Sequence, residues 1–288
     1  MNFEWVTIGA ALVVGGALAT AGTVLQTVMR NPLAEPYMLG LVGGASLCAA
    51  LAIRLGVAAC GGGLLPVCAF AGACGALMLV GAVTRLAGRA RLQDGADAAL
   101  RTSKQTFVLA GFVTGSFTGS LQMLVLSGAP PDTFAAFSHW LFGDLRTVAA
   151  GPLLAGGAVF AGVWSYLRSR ATLLDLYELG SDEMACLGVD TRRLTGGIVM
   201  AVSILTALAV ALAGAIGFVG LVAPHVARRL TDGRHRRLLP LAAVIGGMTL
   251  LAAEGLGRCL PGELSAGVVM AVCGAPFFFF LLCTTRPD

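Results

Sequence analysis

Apolar stretches of roughly membrane-spanning length recur nine times in this 288-residue chain, at about 5–28, 36–53, 64–84, 106–126, 148–167, 194–213, 217–230, 238–257 and 267–283. Most approach the ~20 residues an α-helix needs to cross a ~30 Å hydrocarbon core. In lipid each backbone polar group must be satisfied within the protein, which leaves helices as the spanning element here. The expected fold class is therefore all-α: a polytopic helical membrane protein of about nine transmembrane helices, folded as one domain over residues 1–288. Composition agrees, with 57% apolar and only 12% charged residues against roughly 25% charged in soluble domains. Forty glycines suit helices that approach closely through small residues.

The seventh stretch, 217–230, is too short for a regular crossing. At ~1.5 Å per residue it reaches only ~21 Å. It is also interrupted, reading Gly217-Phe218-Val219-Gly220-Leu221-Val222-Ala223-Pro224-His225-Val226-Ala227-Arg228-Arg229. A second interrupted stretch runs from Arg30-Asn31-Pro32-Leu33-Ala34 through Glu35-Pro36 to Leu39-Gly40. Broken segments in the two halves of a membrane chain point to a transport path, because backbone outside a helix survives there only if protein or a watery cavity satisfies it. Pro36–Gly43 faintly echoes Gly217–Val222, in the manner of an inverted repeat.

Loop charge sets the expected orientation. With the N-terminus outside and the C-terminus inside, Arg54, Arg146 and Arg258 are the outer cations, and the other sixteen of the nineteen lie inside. That asymmetry is the positive-inside pattern. Dropping the short seventh crossing would put the Arg228–Arg237 cluster outside, so charge supports it. The run Met1-Asn2-Phe3-Glu4-Trp5 has no basic n-region, so the first stretch is expected to span rather than serve as a cleaved leader. The +4 net charge does not imply nucleic acid, because the basic residues sit at the ends of apolar stretches; membrane lipid is the surrounding partner.

Two further segments are expected not to span. Residues 129–145 read as a short outer surface helix, with Trp140 suited to the interface. Residues 171–190, on the inside, alternate Leu173, Leu174, Leu176, Tyr177, Leu179 and Leu187 with Asp175, Glu178, Asp182, Glu183 and Asp190, divided at Gly180. Two amphipathic helices are expected there, the second capped by Ser181, with more apolar surface than the spans can cover and hence a partner-docking face.

Intrinsic catalysis finds little support. The sole lysine, Lys104, lies in no G-x-x-x-x-G-K-[ST] loop, so ATP-driven work would need a separate motor. His139, His225 and His235 and the eight cysteines have no metal-ligand spacing, and the cysteines read as small buried apolar residues. Asp94 and Asp97 read as loop charges. Polar residues inside spans are more informative, being costly in lipid. Glu254 and Arg258 are spaced for a helical pair with the acid first; Arg258 facing an external acidic partner is the alternative. His225, after Pro224, reads as a packed, hydrogen-bonded side chain ahead of a proton relay. Gln26 faces either a polar path or a neighbouring helix.

These stretches resemble the FecCD-type permeases, the membrane subunits of type II ABC importers for iron-siderophores, haem and cobalamin. The resemblance rests on Gly15–Gln26 leading into R-N-P-L-A-E-P at 30–36, L-A-G at 109–111, W-L-F-G-D-L at 140–145, L-G-V at 187–189, G-F-V-G-L-V-A-P-H-V-A-R at 217–228, and G-E-L-S-A-G-V-V with G-A-P-F-F between 262 and 278. It implies the type II importer permease fold in the bacterial cytoplasmic membrane and a homodimer with a second permease copy. It further implies two cytoplasmic ATP-binding subunits that carry ATP and Mg, with no cofactor in this chain, and an extracytoplasmic substrate-binding protein. By resemblance Asn31, Leu33, Thr102 and Ser103 belong to the cytoplasmic gate, and the fourth and last spans line the path. Leu173, Leu176, Gly180, Ala185, Leu187 and Gly188 couple to the ATPase, and Arg54 and Arg258 meet acids of the binding protein. Pro224, His225, Arg228, Glu254 and Glu263 belong to the matching motifs. Family members carry ten spans, whereas this chain begins inside what would be their second. A misplaced start codon and a nine-span form would each explain that. An ion-coupled carrier acting without an ATPase is the rival expectation.

Overall fold

The computed structural model describes residues 4–57, 63–90, 96–179, 184, 186, 189 and 191–284, and within them the chain is helical with no strand. Eleven α-helices are described. They are α1 (Trp5–Met29), α2 (Leu41–Arg54), α3 (Leu64–Ala90), α4 (Ala96–Leu126), α5 (Pro131–Leu141), α6 (Ala150–Ser169), α7 (Ala171–Leu179), α8 (Thr191–Ala213), α9 (Val219–Leu230), α10 (His235–Cys259) and α11 (Ala266–Thr284). Short 3-10 turns occupy Pro36–Leu39 and Leu145–Thr147.

Each of the nine apolar stretches falls on a helix. Six helices are long and apolar enough to cross a membrane: α1, α3, α4, α6, α8 and α10. The remaining three stretches are shorter. One is α2, one is the apolar part of α11 (Ala266–Phe279), and the third is the 12-residue α9, with Pro224 inside it. Helices α3 and α4 continue through Arg85, Arg89, Arg101 and Lys104, which the sequence treats as loop. An α-helix carries its own backbone hydrogen bonds and need not stop where the apolar run stops. The short helix expected within 129–145 is present as α5, in which Phe137 is buried and its ring lies 6.2 Å from that of Trp140.

Contacts group the chain into two compact units. One comprises Met1–Pro36 and Phe142–Asp288, the other Tyr37–Leu141. In the first, α1 is the axis: it touches α6, α7, α8, α9 and α10, and from Val14 to Val28 all its residues are buried. In the second, α2 packs on α3, α4 and α5. Arg54, at the end of α2, donates to the carbonyls of Val125 and Ser127 at the end of α4. A cation there complements the helix dipole.

Small residues make the axis possible. A methyl on Gly15 would stand 2.4 Å from the Gly246 carbonyl oxygen, and one on Gly246 would stand 2.4 Å from that of Gly15. Backbone therefore meets backbone where α1 crosses α10, the close approach that glycine permits in membrane bundles. Gly15→Val is expected to lower the unfolding temperature in detergent, with a cost at or above the roughly 1–3 kcal/mol of ordinary overpacking. Gly75→Val, on α3 with nothing within 4 Å of the added carbon, is the matched control and should leave it nearly unchanged.

Candidate functional site: two polar ends and a broken helix

The interrupted segments meet within the first unit, and proline explains how. Pro224 has no N–H to give to the carbonyl of Gly220, four residues earlier in α9, and so leaves that oxygen free. Gln26 of α1 donates its Nε2 to it at 3.2 Å. The approach needs glycine: a methyl on Gly22 would lie 1.8 Å from the same oxygen. The Oε1 atom of Gln26 accepts from Arg228 Nη1, one turn beyond the proline. Of the two roles open to Gln26, the interhelical one is occupied. The N-terminus of α9 is held similarly: Phe218, at φ 66°, donates its N–H to Glu35 Oε1 at 2.7 Å. His225 is packed, its ring edge-on to Phe277 at 5.7 Å.

Beside this junction lies a cavity of about 330 Å³ lined by Gln26, Thr27, Arg30, Asn31, Pro32, Glu178 and Arg228. Arg30 closes α1 in the left-handed region. Its Nε and Nη2 both donate to the Tyr177 carbonyl, at 3.0 and 2.9 Å, which ties α1 to the end of α7. Asn31 is exposed and turns the chain, accepting from the Leu33 N–H at 2.9 Å. Leu33 is half-buried. Thr102 and Ser103 lie on α4, and their side chains are outside the described residues.

The first part of the segment expected to couple to an ATPase is α7. Leu174 and Tyr177 are buried, while Leu173 and Leu176 are half-exposed. The helix thus has an inner face that packs on α1, α6 and α10 and an outer apolar pair three residues apart. Asp175 fixes it further. Its Oδ1 accepts the His235 N–H at 2.8 Å, capping α10, and faces His235 Nδ1 at 2.6 Å. The opposite ring nitrogen, Nε2, meets the Thr27 hydroxyl at 2.7 Å. His235 is fully buried, so a continuous polar chain runs from α7 through α10 into α1. Gly180, Ser181, Asp182, Glu183, Ala185, Leu187, Gly188 and Asp190 lie outside the described residues, and with them most of the second amphipathic helix.

The opposite end of the same unit carries a buried ion network. Glu254 is fully buried on α10. The expected partner Arg258 donates its Nε to Glu254 Oε1 at 2.8 Å, and Arg146 Nε reaches the same oxygen at 2.8 Å. Arg146 Nη1 also pairs with Glu263 Oε2 at 2.8 Å. The pair foreseen from spacing is thus part of a four-residue network. In sequence Arg146 reads as a loop charge, and the one sign of its role is an acid, Glu254, within an otherwise apolar stretch. Asp144 positions Arg146 by accepting its N–H at 2.9 Å. The two family-like stretches also join here: Gly267 donates to the Gly143 carbonyl at 3.1 Å, and Ser265 donates its hydroxyl to that of Phe142 at 3.1 Å.

In the second unit, Tyr37, Met38, Gly40, Gly43, Val108, Leu109, Gly111, Phe112, Gly115 and Ser116 line a mostly apolar cavity of about 720 Å³. Among the described residues no group of three or more His, Cys, Asp or Glu side chains is placed to hold a metal ion.

Long apolar helices with broken segments between them are the make-up of a helical membrane protein. The chain belongs to the FecCD transport family, whose profile matches residues 1–284, as its motifs led us to expect. It is 34% identical over 275 residues to the cobalamin import system permease protein BtuC of Halobacterium salinarum, covering 93% of this chain and 69% of that one. It is 36% identical over 276 residues to the Fe(3+)-citrate import system permease protein YfmE of Bacillus subtilis, covering 94% and 78%. It is 32% identical over 297 residues to the hemin transport system permease protein HmuU of Yersinia pestis, covering 99% and 83%. A solved inward-facing structure, assigned to the metal-chelate type of ABC transporter, superposes with a TM-score of 0.83 at 28% identity, over 97% of this chain and 86% of that one.

Two outcomes test this geometry. Gln26→Leu strands the Gly220 carbonyl and Arg228 together, and should cost about 1–3 kcal/mol. Pro224→Ala restores the missing N–H, so the double variant should regain part of that loss in a thermal-unfolding cycle. At the other end, breaking a buried ion pair costs roughly 3–5 kcal/mol. Arg146→Ala should fall at the low end of that range, because Arg258 still holds the carboxylate; chemical unfolding in detergent measures it.

Proposed function

We propose that this chain is the membrane-spanning subunit of an ATP-driven importer that moves a metal chelate of the iron-siderophore, haem or cobalamin class into the cytoplasm. The chain supplies a passage, and hydrolysis of ATP with Mg takes place on a separate subunit. Two copies form the channel, two ATP-binding subunits engage it from the cytoplasm, and a substrate-binding protein delivers cargo from outside. The basic end carrying Arg30, Arg168, Arg228, Arg229 and Arg234 is the cytoplasmic one. The Arg146–Glu254 end is the outer one, with nine crossings in all.

One observation carries the reading. Helix α7 leaves Leu173 and Leu176 half-exposed while Arg30 and the Asp175–His235–Thr27 chain key it to α1 and α10. A motor pressing on that apolar pair moves α1, and α1 carries the gate turn at Asn31 and Leu33. Thr102 and Ser103 are assigned to the gate by the family resemblance alone. Gly180, Ala185, Leu187 and Gly188 extend the coupling face, and Arg54 and Arg258 receive the binding protein. The rival carrier would need a titratable group on its path, and the buried carboxylate of Glu254 is already engaged by two guanidinium groups.

The test is uptake in liposomes that contain the permease, its ATPase and its binding protein. Leu173→Glu with Leu176→Glu should reduce chelate uptake at least tenfold while the permease stays folded and the ATPase is shed or hydrolyses ATP without transport. Wild-type uptake by that variant would remove the coupling role. Transport against a gradient by the permease alone would favour the ion-coupled carrier.

A further inference from the structure

Arginines cluster at one end of the first unit, and among the described residues some of them have no acidic partner. Arg236 and Arg237 sit in the first turn of α10, which holds no acid. The helix dipole disfavours cations at that position. Arg234 and Arg237 share Asp232, at 3.9 and 3.3 Å. Arg168 at the end of α6 and Arg236 have no carboxylate within 4 Å among the described residues.

The Arg168 guanidinium nevertheless reaches the backbone of Arg236. Pro240 cannot donate to the Arg236 carbonyl four residues earlier, and Arg168 Nη1 donates to that oxygen instead, at 2.7 Å. The Arg168 guanidinium is held over the Trp164 ring at 5.4 Å, a stacking that fixes its plane and leaves its other N–H groups free to donate. Along the same helices large apolar side chains are exposed, Leu154 and Val159 on α6 and Val244 and Met248 on α10. Arginines at the end of apolar exposed helices are placed to meet lipid head groups.

We infer that Arg168 and Arg236, the first held in place by stacking on Trp164, form a binding site for the phosphate head group of an anionic glycerophospholipid, whose acyl chains lie along the exposed apolar side chains of the two helices. Charge complementarity selects the occupant. Each guanidinium near an anionic surface strengthens its attraction about fivefold, and a head group bearing no net charge gains nothing comparable. The site depends on the chain spanning a membrane and not on which cargo it carries.

The purified permease is titrated in mild detergent with phosphatidylglycerol or with phosphatidylcholine of the same acyl chains, and bound lipid is counted by native mass spectrometry. The wild type should retain phosphatidylglycerol preferentially. Arg236→Gln, whose side chain is exposed, should weaken that retention about fivefold, and Arg168→Gln with Arg236→Gln about 25-fold. Arg229→Gln, on α9 at the same end, should leave it unchanged. Equal retention of both lipids, an unaffected Arg236→Gln variant, or an equal loss in Arg229→Gln would overturn the site. So would a double variant that keeps phosphatidylglycerol and instead releases the ATPase subunit, since the arginines would then be a protein contact.

Discussion

A proline inside a helix leaves the carbonyl four residues earlier without its backbone donor; three helices here hold such a proline, and at two of them a side chain takes the donor's place. Pro224 frees Gly220 and Pro240 frees Arg236. Each oxygen is answered by a side chain from a different helix: Gln26 of α1 in one case and Arg168 of α6 in the other. The helix breaks are therefore joints. Each interruption that weakens one helix adds a bond between two, and the bundle is held by polar contacts at its irregular points as well as by apolar packing. Glycine is part of the same arrangement, since Gln26 reaches Gly220 only because Gly22 lets the backbones come together.

Charge follows a similar economy at the two ends. Glu254 is tolerated inside a span because two guanidinium groups share its Oε1. One of them arrives from a turn more than a hundred residues away in sequence. At the other end arginines are more numerous, and Asp232 pairs with Arg234 and Arg237 while Asp175 is taken by His235.

Much of the helix content was legible in the residues, since all nine apolar stretches fall on helices and the broken seventh is α9, flanked by a left-handed Phe218. The motifs placed the chain in its family. What pattern reading missed were contacts between distant elements. Gln26 was left between two roles because nothing near it in sequence names Gly220 as its acceptor. Arg146 was read as a loop charge because its partner, Glu254, lies on another helix. Asp175 and His235 looked like an acid on an amphipathic segment and a scattered histidine, and only the fold makes them a cap and a relay. Helix ends were misjudged around residues 85–104, where hydropathy changes but hydrogen bonding does not.

The polar chain from Asp175 through His235 to Thr27 has a mechanical consequence. Three helices joined by bonds of 2.6–2.8 Å have little slack between them. With Arg30 holding the Tyr177 carbonyl two residues beyond Asp175, the C-terminal half of α7 is tied to both α1 and α10. A push on it would be passed on as torque about a buried axle rather than absorbed in a yielding loop.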